Sequence, residues 1–342
     1  SITFAHSMTI VGGRNIGAEY FGASDAFNYR DLDVLGIGPV AEAVSAEFDL
    51  YWNTDATVPV TAFVEPDDSP EALQAVQDRM DNEVEKAKST PYAAALGSSL
   101  AELIFDKDSS ELYWASAKVV YDLPYGEESA EGVEGPEVLA GILREAVQQA
   151  ETELFVVSPY FVPGESGVEG FRELVERGVR CVVITNSLAS TDVSAVYGGY
   201  SKYQKGLLEA GVELWEVMAF PEIAGHERGA STDRRSLHAK TFVLDQEQVF
   251  VGSFNWDPRS VSINTEMGVL IESPEMGAEM VKSVSAAFNG TAWKLRLNEK
   301  GKVEWVDDSG EKEVVYQKPP QTSTWRRFSA WATGLDAIEG QL

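Results

Sequence analysis

The rhythm of apolar and polar positions changes along this chain. Residues 9–16 (TIVGGRNI) open as a short apolar run that breaks at a Gly-Gly-x-Asn turn, and 31–38 (DLDVLGIG) form a second strand-like run. Over 39–53 the spacing turns helical, with Val40, Val44, Phe48 and Tyr51 on one face. The Pro- and Asp-rich stretch 55–70 reads as loop, while 69–89 begins Ser-Pro-Glu and reads as an exposed helix. Residues 112–124 give the next strand. The acidic, Gly-rich segment 124–137 reads as the boundary between two halves.

Beyond that boundary the pattern is regular. Helical spacing over 136–150 leads to a strand at 153–161, a helix over 167–178 to a strand at 179–187, and a helix over 195–211 to a strand at 212–217. Such alternation predicts βαβ units, with helices on both sides of a mostly parallel sheet. Residues 236–266 then predict a hairpin, with a tight connection at 246–248 and VFVGSFN as the returning strand. From 293 to 320 the alternation, with turn signals at Lys300-Gly301 and Ser309-Gly310, predicts a small antiparallel meander. The tail sets Trp325, Phe328, Trp331 and Leu335 at helical spacing. A helix docked on its own domain is the reading taken here; an interfacial membrane helix aided by Arg326 and Arg327 is the alternative.

At 342 residues the chain has room for two domains with separate cores. No run of 18 apolar residues exists, so no helix of the sequence is expected to span a bilayer. The 27 Lys and Arg against 55 Asp and Glu leave a net charge of −28. A surface of that sign repels nucleic acid at long range, so no nucleic-acid partner is expected. Adaptation to high salt accounts for the charge; a docking face for a basic partner is the alternative. Cys181, the single cysteine, lies in a strand-like run and reads as a buried, inert thiol. The opening SITFAHSMTIVGG has neither an initiating Met nor a signal-like run, so residues upstream of Ser1 are expected.

The chemistry concentrates in SLHAKTFVLDQEQVFVGSFNWDPRSVSINTE, residues 236–266. His238 and Lys240 are two apart on a strand-like segment, so both side chains leave one face. An acid/base or nucleophilic imidazole beside a fixed positive charge suits a phosphate ester. The hairpin return brings Ser253 and Asn255 back as neutral donors for phosphate oxygens. Glu266 is placed to accept from the far imidazole nitrogen and fix its tautomer. Asp245 belongs to the same catalytic motif, yet its odd spacing from His238 turns it away, and it reads as a structural brace.

The pattern HxK, four residues, D, six residues, GSxN resembles the signature of the phospholipase D superfamily. The resemblance implies an α/β fold: two phospholipase D-like αβα sandwich domains packed as a pseudo-dimer, with a small C-terminal extension. It implies that His238 either attacks phosphorus, forming a phosphohistidine, or protonates the leaving alkoxide. Lys240 would hold the non-bridging oxygens, so neither a metal nor a cofactor is implied. The likeness extends to VGGRNIGAEYFG, SPYFVPGESGV, RGVRCVVITNSLASTDVSAVYGGYSKY and GSFNWDPRSVSINTEMG, which are similar to bacterial cardiolipin synthases of the C type. That family implies a peripheral enzyme of the bacterial inner membrane. Its product would be cardiolipin, made from phosphatidylglycerol and a second phospholipid such as phosphatidylethanolamine, with an accessory protein as a further partner. A phosphodiesterase of the same fold that uses water, acting on phospholipid or nucleic acid, is the alternative, and an inactive truncated partner is another.

VGSFNWD (251–257) has an echo in VGGRNIG (11–17), as expected of two similar halves. His238, Lys240 and Asp245 precede Gly252 by 14, 12 and 7 residues. Counted back from Gly12, the same Asp position falls on Ala5 and the His and Lys positions fall before Ser1. The first His-Lys pair is therefore absent from these residues. His6 is at the wrong distance, lacks a Lys and reads as an exposed structural residue. Asn15 would be the first half's phosphate donor, and Asp31 or Asp33 the counterpart of Glu266. The expected domains are 1–127, an incomplete first one, 128–289, which carries HxK, and 290–342, the meander and amphipathic helix.

Overall fold

A computed structural model describes residues 1–24, 27–88, 112–124, 138–220, 234–310 and 312–334. Its first strands are β1 (Ile2–Phe4), β2 (Met8–Gly12), β3 (Phe27–Arg30) and β4 (Asp33–Ile37), followed by helix α1 (Pro39–Trp52). β1, β2 and β4 form an antiparallel sheet. Gly12 pairs with Asp33, and a Cβ on Gly12 would lie 2.0 Å from the Asp33 Oδ1, so only glycine fits there. His6 is exposed in the β1–β2 turn at φ 54°, in keeping with a structural role.

The chain divides into two units, Ser1–Leu50 with Ala115–Leu342, and Tyr51–Trp114. The second contains α2 (Pro70–Lys88), none of whose side chains is buried, as its polar sequence predicts. The boundary expected at 124–137 falls almost wholly outside the described residues.

The larger unit continues with β5 (Ser116–Tyr121), α3 (Val138–Gln148), β6 (Glu153–Val157), α4 (Gly164–Glu176) and β7 (Arg180–Asn186). Next come α5 (Ser194–Ser201), α6 (Gln204–Ala210) and β8 (Glu213–Val217). One continuous helix was expected over 195–211; two short ones form. The strands β9 (Arg234–Leu237), β10 (Thr241–Leu244) and β11 (Gln248–Gly252) lead to α7 (Pro258–Ser262), β12 (Met267–Glu272) and α8 (Pro274–Phe288). The chain ends in β13 (Ala292–Leu297), β14 (Val303–Asp307), β15 (Val314–Tyr316) and α9 (Thr324–Thr333). Leu335, the fourth member of the tail stripe, lies outside the described residues.

Ten of these strands make one sheet in the order β15-β14-β13-β8-β7-β6-β10-β11-β12-β5. The fold is α/β as expected, but the sheet is not mostly parallel. Only β6, β7 and β8, each reached through a helix, run parallel. Strands joined by short turns, such as β10 and β11, can pair only antiparallel. The expected meander does not stand apart: β13 pairs with β8 and extends the sheet. At the other edge β5, on the first-domain side of the expected boundary, pairs with β12.

Period-two alternation fills both faces. Leu154 and Val156 of β6 join one core cluster with Phe242, Phe250, Leu207 and Trp293. Phe155 and Val157 join another with Val243, Val251, Leu237 and Phe288, and Val11 of β2 and Val44 of α1 complete it. This second cluster fixes the opening strands against the sheet face beside the His-Lys segment.

Candidate active site

His238 and Lys240 sit in the irregular step between β9 and β10, not within a strand. β9 pairs in parallel with β3, from Phe27↔Arg234 to Arg30↔Leu237. The backbone amides of His238 and Ala239 both donate to the Arg30 carbonyl, at 2.7 and 3.1 Å. This pairing delivers the next residue, Asp31, to the imidazole: its Oδ2 lies 2.7 Å from His238 Nδ1. The Asp31 side chain is wholly buried. With the Nδ1 hydrogen held by the carboxylate, Nε2 is the ring atom left with a lone pair.

Lys240 Nζ donates to the His238 carbonyl at 2.9 Å and stands 3.1 Å from both ring nitrogens. Burial pushes the Lys240 ammonium down to about 8, although the carboxylates of Asp31, Glu266, Asp257 and Asp192 pull the other way. Burial alone would raise Asp31, but the hydrogen bond and charge of His238, with the Lys240 charge, hold it below the usual carboxylate value.

The repeat's first turn closes over this pair. A Cβ on Gly13 would lie 3.1 Å from Lys240 Cδ and 3.3 Å from Nζ, so the glycine permits the approach. Asn15 Nδ2 donates to the Tyr20 hydroxyl at 3.0 Å, and the rings of Tyr20 and Tyr29 each centre 5.0 Å from the His238 ring. The Tyr29 and Tyr160 hydroxyls donate to Asp192, at 2.9 Å in each case, which forms an aromatic and acidic rim. Burial, reinforced by the Asp192 charge, keeps both phenols protonated.

The structure corrects the sequence reading of Glu266. It does not meet His238; Asp31 takes that place. Glu266 instead accepts from Ser253 Oγ, from Ser260 Oγ at 2.8 Å and from Asn264 Nδ2 at 3.1 Å. Its backbone amide donates to the buried Asp122 carboxylate at 2.9 Å, which also accepts from Leu139 N at 2.7 Å. Burial pushes Asp122 up to about 7. Ser253 thus spends its hydroxyl on Glu266. Asn255 is buried against Ser260, with Nδ2 3.4 Å from Ser260 Oγ, and its Oδ1 has no partner among the described residues.

Asp245 lies outside the site. It occupies the β10–β11 turn at φ 53°, and its Oδ1 accepts from Thr152 N at 2.7 Å and Glu153 N at 2.9 Å. The brace predicted from its spacing is what forms. Arg234 donates to the carbonyls of Ala189, Ser190 and Thr191, which hold its guanidinium against the domain. Cys181 is buried, and burial pushes its thiol up to about 12.

Sequence reasoning missed Tyr20, Tyr29, Tyr160 and Asp192, and named Asp31 only for a different imidazole. A signal was present in NYRD, where alternation puts Tyr29 and Asp31 on one side. No local rule says that His238 faces that side.

A family model described as cardiolipin synthase, PLD-like domain, matches residues 143–291. Cardiolipin synthase C of Escherichia coli (strain K12) is 37% identical over 353 aligned residues, covering 99% of this chain and 72% of the relative. An uncharacterized protein of Helicobacter pylori (strain J99) is 29% identical, covering 96% of this chain and 64% of the relative. Among solved structures, phosphatidylserine synthase of Haemophilus influenzae Rd KW20 matches with a TM-score of 0.58 at 15% identity, over 98% of this chain and 69% of that one. At that identity the likeness is one of fold.

Proposed function

This chain belongs to the phospholipase D-like cardiolipin synthase family, enzymes of the phosphatidyl-transfer type, and from that premise we propose that it makes cardiolipin through a phosphohistidine intermediate. The observation that carries the reading is the Asp31–His238–Lys240 cluster. It joins an imidazole of fixed tautomer to a buried ammonium fit to hold non-bridging phosphate oxygens. In the first step a histidine Nε2 bonds to phosphorus and the headgroup alkoxide leaves, taking a proton from a second histidine. In the second step the hydroxyl of phosphatidylglycerol attacks phosphorus, the second histidine removes its proton, and the P–N bond breaks. His238 acts through Nε2, and the position of the trapped phosphohistidine assigns it to attack or to proton transfer.

Two histidines are needed, and electrostatics favours the same conclusion. Asp31, Asp192, Asp257 and Glu266 all act on the charge of Lys240. Four carboxylates around one lysine weaken its hold on a phosphodiester anion. A second His-Lys pair from outside these residues restores the balance. Glu266, which holds three donors but no imidazole, then serves that pair as Asp31 serves His238. On this reading residues 1–127 are the remainder of a first phospholipase D-like domain, 128–289 the second, and 290–342 an extension. Asn15, Ser253 and Asn255 meet phosphate oxygens once substrate displaces their present contacts, and Asp245 supports the motif from outside. The protein works peripherally at a bacterial inner membrane, with phosphatidylglycerol or phosphatidylethanolamine as donor.

The test compares this chain with a longer form carrying the second pair, on radiolabelled phosphatidylglycerol. The longer form should yield cardiolipin and lose it with His238→Ala, while this chain alone should be at least about a hundredfold slower. Release of phosphatidic acid without cardiolipin would instead establish a hydrolase. Turnover by this chain alone, abolished by His238→Ala, would point to completion of the site between two copies.

A further inference from the structure

Helix α9 turns three aromatic side chains outward. Trp325, Phe328 and Trp331 are 74%, 52% and 64% exposed, and successive rings are tilted against each other with centroids 5.7 and 5.9 Å apart. The opposite side of the helix is docked. Ala330 is buried, and a Cβ on Gly198 of α5 would lie 2.3 Å from its carbonyl oxygen. Docking therefore accounts for the helix without using the aromatic stripe.

Its cations are also committed to the protein. Arg326 donates to the Leu188 and Thr191 carbonyls, both at 2.6 Å, and Arg327 donates to the Thr322 carbonyl at 2.7 Å. The outward stripe itself carries no charged side chain, and the chain as a whole has a net charge of −28. That net charge repels an anionic surface at long range. Indole and phenyl groups settle at the boundary between headgroups and acyl chains.

The docked side of the helix is linked to the site. Arg326 of α9 and Arg234 of β9 both donate to the Thr191 carbonyl. The next residue, Asp192, accepts from the hydroxyl of Tyr29, whose ring centres 5.0 Å from that of His238. A surface met by α9 is therefore linked to His238 through Thr191, Asp192 and Tyr29.

We propose that α9 is a membrane-docking element that inserts Trp325, Phe328 and Trp331 into the interfacial zone of a zwitterionic phospholipid bilayer, by aromatic burial and without charge attraction. This rests on the lipid-substrate reading and adds the element that delivers the site to its substrate. Sedimentation with phosphatidylcholine vesicles, with tryptophan quenching by bromine-labelled lipid, tests it without any turnover. The chain should bind and be quenched, and the combined Trp325→Ser, Phe328→Ser, Trp331→Ser variant should bind at least about tenfold more weakly. Anionic lipid should weaken binding, and added salt should relieve that weakening.

No binding to phosphatidylcholine, binding unchanged in the variant, or binding that requires anionic lipid would each overturn the proposal. So would loss of a dimer in sedimentation velocity with vesicle binding intact, which would make the stripe a self-interface. The replaced side chains are exposed, so an unchanged thermal melt is expected; single Trp331→Ser provides a milder second variant. In the longer form the triple variant should still turn over short-chain, detergent-dispersed phosphatidylglycerol. That result separates failure of docking from failure of the lipid chemistry.

Discussion

Asp31 Oδ2 lies 2.7 Å from His238 Nδ1 across a sequence separation of 207 residues. The carboxylate comes from the opening strands and the imidazole from the segment before β10, so each side of the unit holds one half of the acid–imidazole pair. This relationship orients His238 and leaves Nε2 as the ring atom with a lone pair.

Asp31→Asn keeps the shape of that contact and removes its charge. The amide can present either O or N to the ring, so the tautomer is no longer enforced. In the two-pair enzyme, single-turnover transfer should fall by about a hundredfold or more. The folded pKa of Asp31 is lowered, so its stabilising contribution is present above the ordinary carboxylate value and is lost as pH falls through the folded value. Acid melting curves of the Asn variant should lack that part of the pH dependence.

Lys240 gives the opposite sign. Burial lowers it from 10.5 to about 8, so the folded state sheds the proton first. The cost of burying the charge is present in full below pH 8 and is relieved as pH rises from about 8 to 10.5, so stability should rise over that window. Phosphate affinity should fall as pH passes 8 and the ammonium is lost. Lys240→Met should raise stability at neutral pH by about 1–2 kcal/mol, after the lost carbonyl hydrogen bond is discounted, and abolish phosphate binding. Calorimetry with orthophosphate, beside thermal melts from pH 6 to about 10, checks both directions.

Asp245 separates stability from chemistry. Removing its carboxylate in Asp245→Ala leaves the amides of Glu151, Thr152 and Glu153 without their acceptor and puts alanine at positive φ. The loss should be about 2–4 kcal/mol. Asp245→Asn tolerates that φ and keeps one acceptor, so it should lose less than half as much. Denaturant titrations rank the two, and orthophosphate affinity at Lys240 should be unchanged in the folded fraction of either.

Glu216 is a second buried acid, in β8. It accepts from Trp305 Nε1 at 2.8 Å, Gln204 Nε2 at 2.7 Å and Tyr197 Oη at 3.3 Å, and so ties β14 to β8 and the α5–α6 pair. Burial raises it from 4.5 to about 8, so its protonated form favours folding and stability should decline as pH rises through that interval. Glu216→Leu should remove the slope and, by leaving three donors unpaired, cost about 2–4 kcal/mol at pH 7. Thermal melts across that pH range show both effects.

Much of this was legible locally. The 3.6-residue and two-residue periods located most helices and strands, because burial of one face is a short-range pattern. The odd spacing of Asp245 assigned it to the brace. The direction of the sheet was less legible, since alternating helices and strands say nothing about the hairpin-linked strands that outnumber the parallel ones. Glu266 was misassigned for a related reason. Its place after the returning strand was read as reaching the far imidazole nitrogen, but its carboxylate turns instead to Ser253, Ser260 and Asn264.

The sequence by itself determined the candidate residues: His238, Lys240 and the returning Gly-Ser-x-Asn strand, whose spacing is enforced by one hairpin, and an Asn-bearing turn near the start that echoes it. Only the tertiary structure decided the pairing of acid and imidazole. Asp31 reaches His238 because β3 lies parallel to β9 and Val11 and Val44 pack into the second core cluster, contacts that close over some two hundred residues. Closure at that range is driven by buried area and backbone pairing, which no local period records.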